Sequence, residues 1–222
     1  MNKSRGMLVH HTADTFNTPH TENRHQRSPM LHFEKKGIRI LGIAESYRGR
    51  EQSLICGIVM RRDRIIDGCA FSRATVGGMD ATDAVLAIWS SLARDDIQAI
   101  MLGGTVISWF NVMNISRVHE HTGLPVISVT YEDSPGLEDD IRYHFPGDTE
   151  RLAAYIALGK RKPCELETGE TVYLRAEGIT LTDAVRACNI FTAQGKIPEP
   201  VRVARIVARG HLPDHPEAKD RD

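Results

Sequence analysis

Two glycine pairs, one aromatic run and a cationic stripe are the residues of this 222-residue chain whose types and spacing suit chemistry. Gly77-Gly78 and Gly103-Gly104 stand where apolar segments end, and glycine lets another group approach the backbone closely. Amides in such places, above all at a helix start, hold anions such as a phosphate of nucleic acid or of a nucleotide. The competing reading is a pair of ordinary tight turns, and Asp80 just beyond the first pair would partly repel an anion. Ser108-Trp109-Phe110-Asn111 follows the second pair on a loop. Its aromatics suit base stacking or the sealing of a core edge, and Asn111 suits a hydrogen bond to a ligand or to the loop itself. Lys196, Arg202, Arg205 and Arg209 line the end of the chain, with the arginines at i, i+3 and i+7 on one helix face and Val203, Ile206 and Val207 expected to face inward. That stripe suits phosphate contacts and equally a solvated face. Ser-His-Asp or Cys-His catalysis has no local pattern behind it, because His119 and His121 are two apart and cannot share a helix face.

The elements that must position these residues follow from periodicity. Gly37–Tyr47 is the first strongly apolar segment, and both of its alternating sets are largely apolar, so it reads as a strand covered on both faces. Ser53–Met60 and Ile65–Arg73 read as two more strands, joined by turns short enough to require antiparallel hairpins. Arg48 with Arg50 and Arg61 with Arg62 and Arg64 then fall at opposite ends of the sheet and read as solvated turns. Asp80 and Asp83 form a variant capping box opening a helix through Ala93. A short buried strand over 97–102, a helix capped by Asn114 and ended by Gly123, and a strand over 125–130 come next. A short acidic helix from Ser134-Pro135, a helix capped by Asp148, an edge strand over 171–176, a helix capped by Thr180 and a last helix over 200–209 complete the order. Three antiparallel strands followed by helix and strand units, with right-handed crossovers, define an α/β (α+β mixed-sheet) class. The ribonuclease-H-like architecture has this order, with sheet order 3-2-1-4-5 and the first strand at the centre. A doubly wound sheet and another α+β arrangement are the alternatives.

Composition sets bounds. With 28 Lys plus Arg against 29 Asp plus Glu, net charge does not draw the chain toward nucleic acid or a membrane, although a local basic surface is all that nucleic-acid binding needs. The four cysteines lack ligand-like spacing and read as reduced thiols of a cytoplasmic protein. No apolar run approaches the ~20 residues of a membrane span, and the N-terminus lacks the order of a signal peptide. Residues 1–34 are expected to be a disordered extension carrying His10, His11, His20 and His25, with Met30 a candidate start; 35–210 a single domain; and 211–222 a flexible tail.

GIRILGIAESY (37–47), TVGGMDATDA (75–84), IMLGGTVISWFNVMNI (100–115), TGLPVISVTY (122–131) and GKIPEPVRVARIVA (195–208) resemble an archaeal family known as domain-of-unknown-function family ninety-nine, itself related to endonuclease V. The resemblance covers most of residues 35–209 in order and implies an endonuclease-V-like, ribonuclease-H-like fold. Endonuclease V cuts nucleic acid near deaminated adenine with magnesium held by carboxylates, so DNA or RNA is the implied partner and Mg or Mn the implied cofactor. Its first-strand pattern has an aspartate where this chain has Ala44 in Gly42-Ile43-Ala44-Glu45-Ser46-Tyr47. Its Tyr-aliphatic-Pro-Gly wedge corresponds to Thr75-Val76-Gly77-Gly78, which has no aromatic, and its following glutamate falls near Asp83. Its fourth-strand aspartate corresponds to Gly103, and its late histidine to Gly195-Lys196. The resemblance also puts both glycine pairs near the site.

A hard divalent cation needs several anionic oxygens converging on it. Loss of the first- and fourth-strand carboxylates points to a degenerate site in a nucleic-acid-binding protein. The alternatives are a nuclease with a relocated set of Glu45, Asp80 and Asp83, which requires a bulge to re-aim Glu45, and a non-catalytic module for a protein or small ligand. Helix capping explains Asp80 and Asp83 without a metal.

Overall fold

Continuous burial along the first strand is what organises the molecule. A computed structural model describes residues 37–212. The expected N-terminal extension, with its histidines and Met30, and the expected tail beyond residue 212 lie outside the described residues. Strand β1 (Arg39–Tyr47) is buried along its middle, with Ile40 and Ala44 in one core cluster and Leu41 and Ile43 in another. Hairpin-linked β2 (Gln52–Arg61) and β3 (Ile66–Thr75) flank it on one side in antiparallel register. On its other side lie the parallel strands β4 (Ala99–Leu102) and β7 (Val126–Thr130), and between these two in the chain comes the two-stranded ribbon β5 (Val106–Ile107) and β6 (Asn111–Val112).

Those five strands take the expected order, and two further strands extend it. Strand β8 (Lys162–Glu165) and β9 (Thr171–Glu177) make the sheet β3-β2-β1-β4-β7-β9-β8. The segment expected as the last edge is therefore internal, antiparallel to both neighbours. Its outer partner is short and contains Pro163, the kind of sequence that blunts a sheet edge and leaves no strand signature.

Helices cover both faces. Helix α1 (Ala81–Leu92) and α2 (Ile115–Thr122) bury Ala84, Val85, Ile88, Ile115 and Val118 on one face. On the other, α5 (Leu181–Phe191) and α6 (Glu199–His211) bury Ala184, Cys188, Phe191, Val201, Ala204 and Ala208. Helices α3 (Glu138–His144) and α4 (Thr149–Ala157) share a third, smaller cluster of Val112, Ile141 and Tyr155. Asn114, Asp148 and Thr180 accept the N–H of the residue three positions on, as side-chain caps do. Helix α6 runs to His211, whose ring stacks on Phe71, so the helix outlasts the expected end at Arg209. Its buried line is Val201, Ala204 and Ala208, whereas Ile206, expected to face inward, is 55% exposed.

Candidate functional site

The carboxyl ends of β1, β4 and β7 lie side by side, and the missing carboxylates of the resemblance map onto adjacent points there. The Gly103 amide donates to the Ile43 carbonyl at 2.9 Å. A Cβ built on Gly103 would stand 3.7 Å from that of Ala44 and 3.0 Å from Cγ1 of Val201. Helix α6 sits directly on this floor: a Cβ on Gly42 would collide with the backbone of Pro200. Val201 therefore closes the floor at Gly103, and Ala44 lies in the same core cluster as that valine. These residues do not fit a hydrated divalent cation, because the oxygens are replaced by a methyl and a hydrogen and Val201 closes over them.

Glu45 points to the other face, as strand alternation dictates. It accepts from Ser53 Oγ at 3.1 Å. Burial pushes its carboxyl above the usual range, against hydrogen bonding from Ser53 and Ser108 and the charge of Arg205. Asp80 and Asp83 do not join it: among the described residues no three His, Cys, Asp or Glu side chains gather as a metal would need. Asp83 is ion-paired with Arg117 at 2.6 Å.

The expected capping box at α1 is replaced by a longer-range arrangement. Asp80 makes no side-chain cap and turns back to accept from the Thr75 amide at 3.0 Å and the Thr75 hydroxyl at 2.8 Å. Burial opposes ionisation of Asp80, but hydrogen bonds from Asn111 and Thr75 outweigh it and hold the carboxyl below its usual range. The helix is capped instead by Asn111, whose Oδ1 accepts from the Ala81 amide at 3.0 Å while its Nδ2 donates to Thr75 O and Asp80 Oδ1. Asn111 is fully buried, so its amide serves the fold.

Asn111 reaches that position because the loop before it turns left-handed. Ser108, Trp109 and Phe110 have φ of 45°, 62° and 61°, three consecutive non-glycine residues in a region that side chains disfavour. Arg151, buried under the turn, holds it there. Its guanidinium donates to the carbonyls of Gly77, Gly78 and Phe110 at 2.7–2.9 Å, pairs with Asp148 at 3.0 Å and lies over the Phe145 ring. The Gly77 amide donates to Ser108 O and the Gly78 amide to Thr75 O. Both amides of this glycine pair are thus engaged, which removes the anion site expected from them. The turn holds Trp109 48% exposed beside Gly77. Phe110 and His144 pack against its ring.

The cations are distributed differently from a single stripe. Arg202 pairs with Glu199 on its own helix, and Arg209 is exposed near the end of α6. Arg205 lies over the Tyr131 ring, and Lys196 donates to Tyr131 O at 2.8 Å. Arg205, Gly103, Gly104 and Tyr131 therefore meet at the ends of β4 and β7, lining one cavity with Arg161 and Arg175. Sequence reasoning missed these last two arginines and Arg151, whose roles depend on tertiary neighbours; a charged residue inside an otherwise apolar strand was the one available signal, at Arg175.

A central strand flanked by an antiparallel hairpin and parallel units, with a crowded site at the strand ends, defines a ribonuclease-H-like fold of the endonuclease V kind. Endonuclease V of Ciona intestinalis, solved with an inosine-containing DNA, superposes with a TM-score of 0.54 at 14% identity over 79% of this chain and 86% of that one. The Streptomyces avermitilis enzyme gives 0.53 at 18% identity over 79% and 81%. The chain belongs to the endonuclease dU family, whose model matches residues 36–212. A UPF0215 protein of Pyrobaculum calidifontis is 37% identical over 77% of this chain and 94% of its own length. A structure of an Archaeoglobus fulgidus protein of unknown function aligns with a TM-score of 0.69 at 26% identity, over 78% of this chain and 97% of that one.

Proposed function

We propose that this protein binds nucleic acid, with a dU-containing strand as its target, through the surface that presents Trp109, and that its metal-dependent nuclease site is degenerate. The carrying observation is the left-handed turn. Three strained residues persist only where surrounding structure over-determines them, and such strain concentrates at functional sites. Here Arg151 supplies the constraint, and the result is a half-exposed indole on a fixed support next to Gly77. An aromatic held in that manner stacks on an unpaired base. It stands beside the segment in which the endonuclease V pattern carries its aromatic wedge. Family membership supports the target class, and the DNA-bound Ciona structure supports nucleic acid as the partner. The domain expected over 35–210 is the binding unit, and four free cysteines support a cytoplasmic setting.

The test is a binding titration with labelled single- and double-stranded DNA and RNA, with and without dU. Salt-sensitive binding is expected, weakened about 5- to 150-fold by Trp109→Ala, the equivalent of ~1–3 kcal/mol for one stacked base. Absence of salt-sensitive binding to every probe overturns the proposal. Cleavage that requires Mn and is lost in Asp83→Ala or Glu45→Ala would instead establish the relocated nuclease.

A second reading, a protein-docking module, is favoured by one observation. Exposed Met79 and Tyr143 share the region of Trp109, with Tyr143 packed on the His144 that also touches the indole. Loss of a protein partner in Trp109→Ala, without any nucleic-acid binding by the parent, would select it.

A further inference from the structure

We propose that the cavity at the ends of β4 and β7 is a binding site for a phosphate group, held by Arg161, Arg175 and Arg205. This goes beyond nucleic-acid binding and does not depend on it. The cavity measures about 410 Å3 and is bounded by Gly103–Val106, Val129–Ser134, Leu137, Tyr155 and the three arginines.

Arg175 carries the argument furthest. It projects from β9, is 9% exposed, and donates from Nε to Gly159 O at 3.0 Å and from Nη1 to Thr105 Oγ1 at 2.9 Å. Both acceptors are neutral, and no carboxylate among the described residues forms an ion pair with it. A buried cation without an anion is costly. Arg161 has the same character: its guanidinium donates to Thr130 Oγ1, Glu132 O and Ser134 O at 3.1–3.2 Å, again without an ion pair. Burial is the main effect that disfavours the charge on Arg175 and the nearby Arg161 adds to it, while Tyr155 and Glu138 act in the opposite direction without outweighing them. Two like charges thus share one wall, and the acceptors of their hydrogen bonds are neutral. A shared dianion resolves the conflict, since guanidinium groups match phosphate oxygens in geometry and charge.

The remaining walls suit the same ligand. Arg205 is exposed and reaches over Tyr131 from α6. The Tyr131 hydroxyl is buried and has no hydrogen-bond partner among the described residues, and Tyr131 lines this cavity. Gly104 has φ of 113°, which a side chain would not tolerate, and its bare backbone lets a ligand come close. Opposing charges are also present. Glu132 and Asp133 are exposed at the rim, with Asp133 already accepting from the Ser134 amide, and Glu138 acts on Arg175 from α3. Three cations against these three carboxylates leave the buried side of the cavity positive, because the buried member is Arg175.

The experiment is calorimetric titration of the full chain with inorganic phosphate, a deoxynucleoside monophosphate and acetate at matched ionic strength, repeated with Arg205→Gln and Arg161→Gln. Arg205 is exposed, so its substitution leaves folding intact; circular dichroism and thermal melting check this. Phosphate binding that acetate does not reproduce, weakened about tenfold or more in Arg205→Gln, is the expected result. Tighter binding of the monophosphate than of inorganic phosphate identifies a nucleotide source, and phosphate competition against an oligonucleotide identifies a backbone phosphate. No heat with either phosphate probe, or equal binding of acetate, overturns the proposal. Oligonucleotide binding unaffected by Arg205→Gln and by free phosphate overturns it while leaving nucleic-acid binding standing. Phosphate binding without any oligonucleotide binding does the reverse.

Discussion

Ala44 and Gly103 are neighbours on adjacent parallel strands, with 3.7 Å between the Ala44 methyl and the point where Gly103 would carry a Cβ. The positions of the two strand carboxylates that this chain lacks relative to the endonuclease V pattern therefore fall at one place, and Val201 of α6 closes it.

Restoring a single carboxylate there is not expected to restore a metal site. Ala44→Asp should bury one carboxylate against an apolar helix and cost roughly 1–3 kcal/mol, with no stoichiometric Mn binding by calorimetry. Adding Gly103→Asp should cost more, because the new side chain meets Val201 at 3.0 Å. Tight Mn binding by Ala44→Asp alone would show that the crowding has been misjudged.

Arg151→Leu should release the left-handed turn. It orphans the carbonyls of Gly77, Gly78 and Phe110 and leaves Asp148 unpaired, a loss of about 3–5 kcal/mol by analogy with broken buried pairs. In a Trp89→Phe background, Trp109 emission should shift to the red under native conditions. Unchanged emission and urea midpoint would mean the turn holds itself.

The half-buried Glu45 carboxyl gives a pH signature. Its pKa is raised in the folded protein, so its favourable contribution is present below the ordinary carboxylate range and is lost as pH rises through the raised value. Glu45→Gln keeps an acceptor for Ser53 and carries no charge to bury. It should match the parent near pH 4 and exceed it in stability at pH 8, measured by urea unfolding at both. A variant less stable than the parent at pH 8 would indicate that hydrogen bonding to the carboxylate outweighs burial.

Alkylation should sort the thiols. Cys69 is exposed, whereas burial pushes Cys188 up to about 12 and also raises Cys56, whose sulfur lies 3.9 Å from that of Cys69. Brief iodoacetamide treatment of folded protein at pH 8 should label Cys69 ahead of Cys56 and Cys188 in peptide mass spectra. Equal labelling of all three would show that the sheet opens on that timescale.

Much of the scaffold was legible because it rests on local patterns. The two apolar sets of β1 announced a strand covered on both faces, and Thr180 with Asp183 announced a helix start that the structure shows bonded reciprocally. Asp80 followed by Asp83 carried the same signal and misled. The competing cap, Asn111, comes from a distant loop and leaves Asp80 to Thr75, a choice that spacing does not encode. The turn at Ser108–Phe110 contains no glycine, so nothing in its residue types signalled positive φ. Arg161 and Arg175 are 14 positions apart in the chain, and only the fold brings them to one cavity.

Helix α6 has a consequence for how the chain is made. It is the last described element to emerge during synthesis, yet its partner β1 is the first. Until it docks, Ile40, Ala44 and Met101 stand bare in the middle of a nascent sheet, open to chaperones and to stray strands. The step that covers Ala44 and Gly103 is also the step that ends this exposure. Selection acting on α6 for rapid, firm docking would by itself favour a small residue at position 44 and none at all beyond the α-carbon at position 103, with no reference to catalysis.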